Sequence, residues 1–153
     1  MPSNSPYFWF ATWFGAGLSQ KAPGTVGTLA TVPAHFLLIQ LPLLWHLVAL
    51  AVLILAGTWC ANKLSEESGL EDPQIVVIDE SAGVLLALFL AGTTNWIGLI
   101  AAVALFRLLD IAKPWPISAA ENLKPAGVGI MADDLVAGLA AGLIVALGIQ
   151  YLA

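Results

Sequence analysis

The chain has 153 residues, of which 59% are hydrophobic and only 10% are charged, and its net charge is −5. Soluble domains carry about 25% charged residues, so most of this surface is predicted to face lipid, and a hydrophobic soluble bundle is the disfavoured alternative. Five basic side chains are too few to neutralise a run of phosphates, which argues against nucleic acid as a partner.

An aromatic segment and five apolar stretches follow in chain order. The segment YFWFATWF, residues 7–14, is typical of an interfacial helix at headgroup level or of a helix packed on a bundle. The apolar stretches lie at about residues 26–41, 43–61, 75–92, 95–112 and 132–153. The second and fifth are long enough to cross a hydrocarbon core of about 30 Å, whereas the others, read alone, could be buried or re-entrant helices. The sequence predicts an all-α, polytopic membrane bundle of about five membrane-embedded helices, forming one domain over residues 1–153.

The charges orient these stretches. All of them fall in three blocks, which are Lys21, residues 63–80 and residues 107–134. Five crossings place these blocks on one side of the membrane and the uncharged turns on the other. Because that side holds every basic residue, the positive-inside rule makes it cytoplasmic. The N-terminus is therefore expected inside and the C-terminus outside.

Three segments bring carboxylates to the cytoplasmic ends of predicted spans, namely Asp79 and Glu80, Asp110, and Asp133 and Asp134. Ionisable residues at membrane depth usually face the bundle interior and mark a functional site. Clustered carboxylates repel, and Mg²⁺, which prefers oxygen ligands, removes that repulsion. We therefore predict a Mg²⁺ site built from these five acids. Since neighbours on a helix point about 100° apart, one acid of each adjacent pair is expected to be the direct ligand.

Plainer interpretations of both acidic pairs stay open. Asp133 and Asp134 could form an acidic cap, because a helix N-terminus favours negative charge. Asp79 and Glu80 could lie in a solvated loop, although apolar residues stand on both sides.

The fourth stretch ends in a patterned run of charge. Arg107, Asp110 and Lys113 are spaced i, i+3, i+6 and share a broad helix face. They could form a local ion-pair ladder, or a metal ligand between two phosphate-binding cations. Pro114 and Pro116 are predicted to stop the helix directly after Lys113.

The loop GAGLSQKAPGTVG, residues 15–27, matches neither the phosphate-loop nor the dinucleotide fingerprint. Its amides and the side chains of Lys21 and Thr25 could still bind an anion at a helix N-terminus, and a plain turn is the alternative. Cys60, His35 and His46 are expected to serve packing or interface roles.

Four strings then show a family resemblance. APGTVGTLATVP, VIDESAG, FRLLDIAKPWPI and GVGIMADDLVAG, in this order and spacing, resemble phosphatidylglycerophosphatase A over roughly residues 12–145. The resemblance implies a bacterial inner-membrane, multi-pass, Mg²⁺-dependent enzyme whose active site faces the cytoplasm. Its expected substrate is phosphatidylglycerophosphate, from which it would remove the terminal phosphate to leave phosphatidylglycerol.

The residues and the resemblance together assign roles. Catalysis is expected from Asp79, Glu80, Asp110, Lys113 and Asp134. Substrate binding is expected from Lys21, Thr25, Arg107 and Lys113, with the two cations of the fourth stretch stabilising transition-state charge. Attack by a metal-activated water is the favoured mechanism. An aspartyl-phosphate intermediate is the alternative to direct water attack, and the sequence is compatible with either one or two Mg²⁺ ions.

Three other classes compete with this interpretation. A CDP-alcohol phosphotransferase also uses membrane-edge aspartates and Mg²⁺, but its D-G-x-x-A-R signature is missing. A divalent-cation transporter would place its acids near mid-membrane, whereas here they stand at the ends of spans. A non-catalytic membrane subunit would not need this concentration of acids.

Overall fold

The computed structural model describes residues 5–152, and the regular secondary structure in that range is all helical. A short 3₁₀ helix, Ala16–Leu18, lies between the first two α-helices. The α-helices are α1 Pro6–Ala11, α2 Pro23–Leu38, α3 Leu43–Ser68, α4 Ile78–Ala91, α5 Trp96–Ala112, α6 Ile117–Ala120 and α7 Ala126–Leu152. The predicted all-α class is confirmed.

Local sequence determines both ends of α5. At its start, the side-chain oxygen of Asn95 accepts a hydrogen bond from the backbone N–H of Ile97 at 3.0 Å. At its end, Lys113 adopts the left-handed conformation with a φ of 44°. Pro114 follows and cannot continue the helix. The helix therefore ends at Ala112, one residue before the end that the two prolines predicted.

Helix α4 lies at the centre of the bundle, packed against α7, α3, α5 and α2. Ten of its fourteen residues are buried, so little of it is left to face lipid. Its approach to α7 is very close, because a Cβ on Gly138 would lie 2.2 Å from the carbonyl oxygen of Gly83. Only glycine fits at such a backbone contact. This contact holds the acidic start of α4 beside α7.

Two helices, α3 and α7, are long and apolar enough to cross a membrane. Helices α2, α4 and α5 have 16, 14 and 17 residues, fewer than the roughly 20 that a hydrocarbon core requires. The outer surface is nevertheless strongly apolar, with Leu55, Ile97 and Ile111 exposed by 73%, 78% and 71%. The other three of the five expected crossings stay a prediction.

The aromatic segment forms α1 and the turn after it. Phe8 and Ala11 are buried in the same core cluster as residues of α3, and the Tyr7 hydroxyl donates a hydrogen bond to Glu67 at 2.7 Å. Trp9 and Phe14 remain exposed. Packing on the bundle is therefore confirmed for one face, and an interfacial position for the exposed rings stays a prediction.

The last helix begins earlier than the sequence predicted. It starts at Ala126 rather than near residue 132, so Asp133 and Asp134 lie about two turns inside it. Their interpretation as an N-terminal cap is wrong, because the helix dipole acts within the first turn.

Candidate active site

A cavity of about 590 Å³ lies where α2 and α4 begin and α5 ends. Eight of the chain's ten acidic side chains and three of its five basic ones line it. The charged lining residues are Glu71, Asp72, Asp79, Glu80, Arg107, Asp110, Lys113, Glu121, Lys124, Asp133 and Asp134. The three segments that carry the predicted carboxylates therefore meet in one cavity.

A buried carboxylate cluster, formed by Asp79, Glu80 and Asp134, lies in this cavity. One oxygen from each residue lies within 4.8 Å of the others. Asp79 and Asp134 are only 8% and 2% exposed. Asp79 Oδ1, Glu80 Oε2 and Asp134 Oδ2 have no hydrogen-bond partner within residues 5–152. Buried polar atoms are normally paired, and three hard oxygen donors are a set that fits Mg²⁺.

Glycine at position 24 makes room for this cluster. A Cβ there would lie 2.1 Å from Glu80 Oε1 and 3.1 Å from Arg107 Nη2. A side chain at this position would therefore displace the carboxylate of Glu80.

Arg107 lies beside the cluster and joins three elements. Its Nη1 forms an ion pair with Asp110 on the same helix and lies 3.8 Å from Glu80 Oε1. Its Nη2 donates to the hydroxyl of Thr25 at 3.4 Å. The guanidinium thus connects α5 to α4 and α2, and it contacts Thr25, whose substrate-binding role stays a prediction.

Lys113 forms ion pairs outside its own helix. Its Nζ lies 2.7 Å from Asp133 Oδ2 and 2.6 Å from Glu121 Oε1. Burial lowers the pKa of Lys113, but its hydrogen bonds to Asp133 and Glu121 outweigh burial, so the pKa is raised above the usual value. The side chain is therefore a cation at neutral pH.

The ion-pair ladder, one of the two alternatives for the charged residues of α5, is only half present. Arg107 pairs with Asp110, but the partners of Lys113 lie on α7 and just after α6. The reason is the left-handed backbone conformation of Lys113. Side chains at i and i+3 are neighbours only where the backbone is helical, so Lys113 does not face Asp110.

The two adjacent acid pairs behave differently. Asp134 joins the carboxylate cluster, whereas Asp133 pairs with Lys113, and one direct ligand from this pair stays a prediction. Asp79 and Glu80 instead both reach the cluster. They lie in the first turn of α4 and are largely buried, so the solvated-loop alternative is wrong.

Other candidates lie outside the cavity. Lys21 is exposed, and its ammonium has no hydrogen-bond or ion-pair partner in the described part of the chain. Cys60 is buried in the core cluster around α3. The rings of His35 and His46 are 6.4 Å apart and contact Phe36 and Phe89 respectively, in agreement with packing roles.

Several cavity residues were not singled out from the sequence. Glu121 binds Lys113, and Lys124 pairs with Glu71 at 2.6 Å. Burial raises the pKa of Asp72, which also lines the cavity. These four residues could have been suspected from the sequence, because all of them fall inside the two larger charge blocks.

Comparison with known proteins points in the same direction. The sequence model of the family described as Phosphatidylglycerophosphatase A matches residues 9–149. The chain is 36% identical over 148 residues to a protein of that name from Escherichia coli (strain K12), covering 95% of this chain and 85% of the relative. A Haemophilus influenzae protein of the same name is 38% identical over 148 residues, covering 96% and 90%.

A third relative has a different name. A Bacteroides thetaiotaomicron protein, provisionally named a phosphatidylinositol-3-phosphatase, is 44% identical over 152 residues, covering 95% of this chain and 94% of the relative. All three names describe lipid phosphatases. No solved structure matches significantly.

Proposed function

The chain belongs to the phosphatidylglycerophosphatase A family, and we propose that it hydrolyses phosphatidylglycerophosphate to phosphatidylglycerol and inorganic phosphate. The buried carboxylate cluster of Asp79, Glu80 and Asp134, with its three unpaired oxygens, carries this proposal. A phosphate monoester has a charge of about −1.5 to −2 at neutral pH. It can enter so acidic a cavity only if cations bridge it to the carboxylates.

Asp79, Glu80 and Asp134 are the residues that would hold Mg²⁺. Bound there, Mg²⁺ would neutralise charge on the phosphate oxygens and lower the pKa of a coordinated water. Asp110 and Asp133 bind Arg107 and Lys113, so their first role in this proposal is to orient the cations.

Arg107 and Lys113 would then meet the phosphate. An ammonium has three N–H donors. Lys113 donates two of them to Asp133 and Glu121, and the third would donate to a phosphate oxygen. Arg107 is held by Thr25 and Asp110, which fixes the plane of its guanidinium. Donors fixed before the reaction stabilise the charge that develops in the transition state.

The same proposal includes the membrane. The two apolar helices α3 and α7 and the exposed apolar surface support a multi-pass position in a bacterial inner membrane. The cavity contains three of the five basic residues, so by the positive-inside rule it would face the cytoplasm. A lipid substrate would keep its acyl chains in the bilayer while its phosphate reaches the cavity.

A second substrate follows from the Bacteroides relative. Phosphatidylinositol 3-phosphate also carries a phosphate monoester on a lipid, and that relative is 44% identical over nearly the whole chain. The two substrates differ in the alcohol to which the phosphate is attached, but both would present a phosphate monoester to Arg107 and Lys113. Family membership favours hydrolysis over the phosphotransferase and transporter alternatives.

Phosphate release from the two lipids tests the proposal. Purified protein in mixed micelles would be given phosphatidylglycerophosphate or phosphatidylinositol 3-phosphate, and inorganic phosphate would be measured. We expect a clearly higher kcat/KM for phosphatidylglycerophosphate. The opposite order would favour the second substrate, and no release from either lipid would contradict a phosphatase.

A further inference from the structure

An apolar groove of about 300 Å³ runs between α2 and α5. Leu29, Val32 and Phe36 of α2 line one wall, and Trp96, Ile100 and Val103 of α5 line the other. Leu88 of the central helix α4 also lines it and is buried. The groove is therefore a concave apolar surface between two helices.

The groove is continuous with the acidic cavity through one residue. Arg107 lines both, and Thr25, which accepts a hydrogen bond from Arg107, also lines the groove. Thr28 is the next polar residue of α2, but its hydroxyl already donates to the carbonyl of Gly24 at 2.8 Å. The groove therefore has a cationic end at the cavity and becomes apolar directly beyond it.

The length of the groove suits one acyl chain. Its α5 wall runs from Arg107 back to Trp96, which at 1.5 Å per residue is about 16 Å. The acyl chain of a lipid occupies about half of a hydrocarbon core of about 30 Å. A single extended chain attached to a phosphate head would thus find the cation at one end and apolar walls along the rest.

We propose that this groove binds one acyl chain of the lipid whose phosphate enters the cavity. The proposal rests on the proposed function, since it takes the occupant to be the substrate of that site. The groove holds the chain, Arg107 stands at the boundary between chain and headgroup, and the substrate is positioned from both ends.

Two exposed alanines of α5 provide a matched test. Ala104 lines the groove, whereas Ala101 is also exposed on the same helix but lies outside the groove. Ala104→Trp would fill the groove, and Ala101→Trp would add the same ring elsewhere on the apolar surface. Neither position is buried, so both variants should fold, and their thermal midpoints in detergent would confirm this.

The first readout is the ratio of kcat/KM for diacyl phosphatidylglycerophosphate to that for its deacylated, water-soluble headgroup. We expect Ala104→Trp to lower this ratio about tenfold, equivalent to losing roughly two buried methylene groups. Ala101→Trp should leave it unchanged. An unchanged ratio in both variants, or an equal fall in both, would overturn the groove assignment.

The second readout does not need turnover. Phosphatidic acid with a spin label on one acyl chain would be added to each protein, and the immobilised fraction would be measured by electron paramagnetic resonance. We expect that fraction to fall in Ala104→Trp alone. A wild type that immobilises this lipid but releases no phosphate would contradict the proposed function while supporting the groove. Equal fractions in all three proteins would overturn the groove.

Discussion

Lys113 donates a hydrogen bond to Asp133 at 2.7 Å, and this pair joins the end of α5 to α7, about two turns from the start of α7. The next residue along the chain, Asp134, points into the carboxylate cluster instead. Two adjacent aspartates thus do different things, because consecutive side chains on a helix diverge by about 100°. One orients a cation, and the other is a candidate metal ligand.

Asparagine substitutions should separate these two roles. Asp134→Asn removes a proposed ligand charge and should weaken Mg²⁺ binding by more than the 10- to 100-fold typical of outer partners. Asp133→Asn should leave Mg²⁺ affinity nearly unchanged but lower the free energy of unfolding by about 1–2 kcal/mol, since it weakens a charged hydrogen bond. Isothermal titration with Mg²⁺ and thermal unfolding measure the two effects. Equal loss of metal affinity in both variants would contradict this division.

Changes at Lys113 should affect turnover more than substrate binding. Lys113→Ala should lower kcat by about 10²–10³-fold, with a smaller change in KM, if the ammonium meets charge that develops in the transition state. Lys113→Arg should give a partial loss, because a planar fork does not replace a point charge at a tight site. Steady-state kinetics decide the matter: a full-rate arginine variant with unchanged thermal stability would limit Lys113 to a structural ion pair.

A methyl group at Gly24 should disturb the site without any charged residue being substituted. Gly24→Ala would place a Cβ 2.1 Å from Glu80 Oε1, and displacing a positioned group by about 1 Å can cost about 10²-fold in rate. Gly148→Ala is the matched control, since a Cβ there meets nothing within 4 Å. That control should keep its rate and gain about 0.5–1 kcal/mol of stability. Comparable rates in the two variants would show that Glu80 does not depend on Gly24.

The topology has its own test, which follows from the three charge blocks. A reporter fused after Thr93 should read as periplasmic, and one fused after Gly69 as cytoplasmic. The first position lies in the uncharged turn before α5, and the second follows the charged end of α3. Both reporters on one side would rule out five crossings.

Sequence motifs alone identified most of the acidic residues that line the cavity, but not the ion pairs that they form. Asp79, Asp110 and Asp134 could be placed at one level because each stands near the end of an apolar stretch. The partners of Lys113 could not be predicted, because its left-handed backbone removes it from the helical spacing that made Asp110 the expected partner.

The start of α7 and the lipid groove were hidden for a different reason, since both depend on packing. Gly127 and Gly129 are poor helix formers, yet a Cβ on Gly127 would lie 2.4 Å from the carbonyl oxygen of Thr58. Close packing against α3 thus overrides local preference there. The groove exists only because α2 and α5 flank α4, a relation between distant segments that no local pattern encodes.

The most direct test of the central claim is metal-dependent phosphate release from phosphatidylglycerophosphate. The purified protein would be treated with EDTA, and inorganic phosphate would be measured before and after Mg²⁺ is restored, beside Asp134→Asn under the same conditions. We predict that EDTA abolishes release, that Mg²⁺ restores it in the wild type, and that the variant stays inactive. Full activity in EDTA, or a variant that Mg²⁺ restores as well as the wild type, would contradict a metal-dependent phosphatase built on the cluster of Asp79, Glu80 and Asp134.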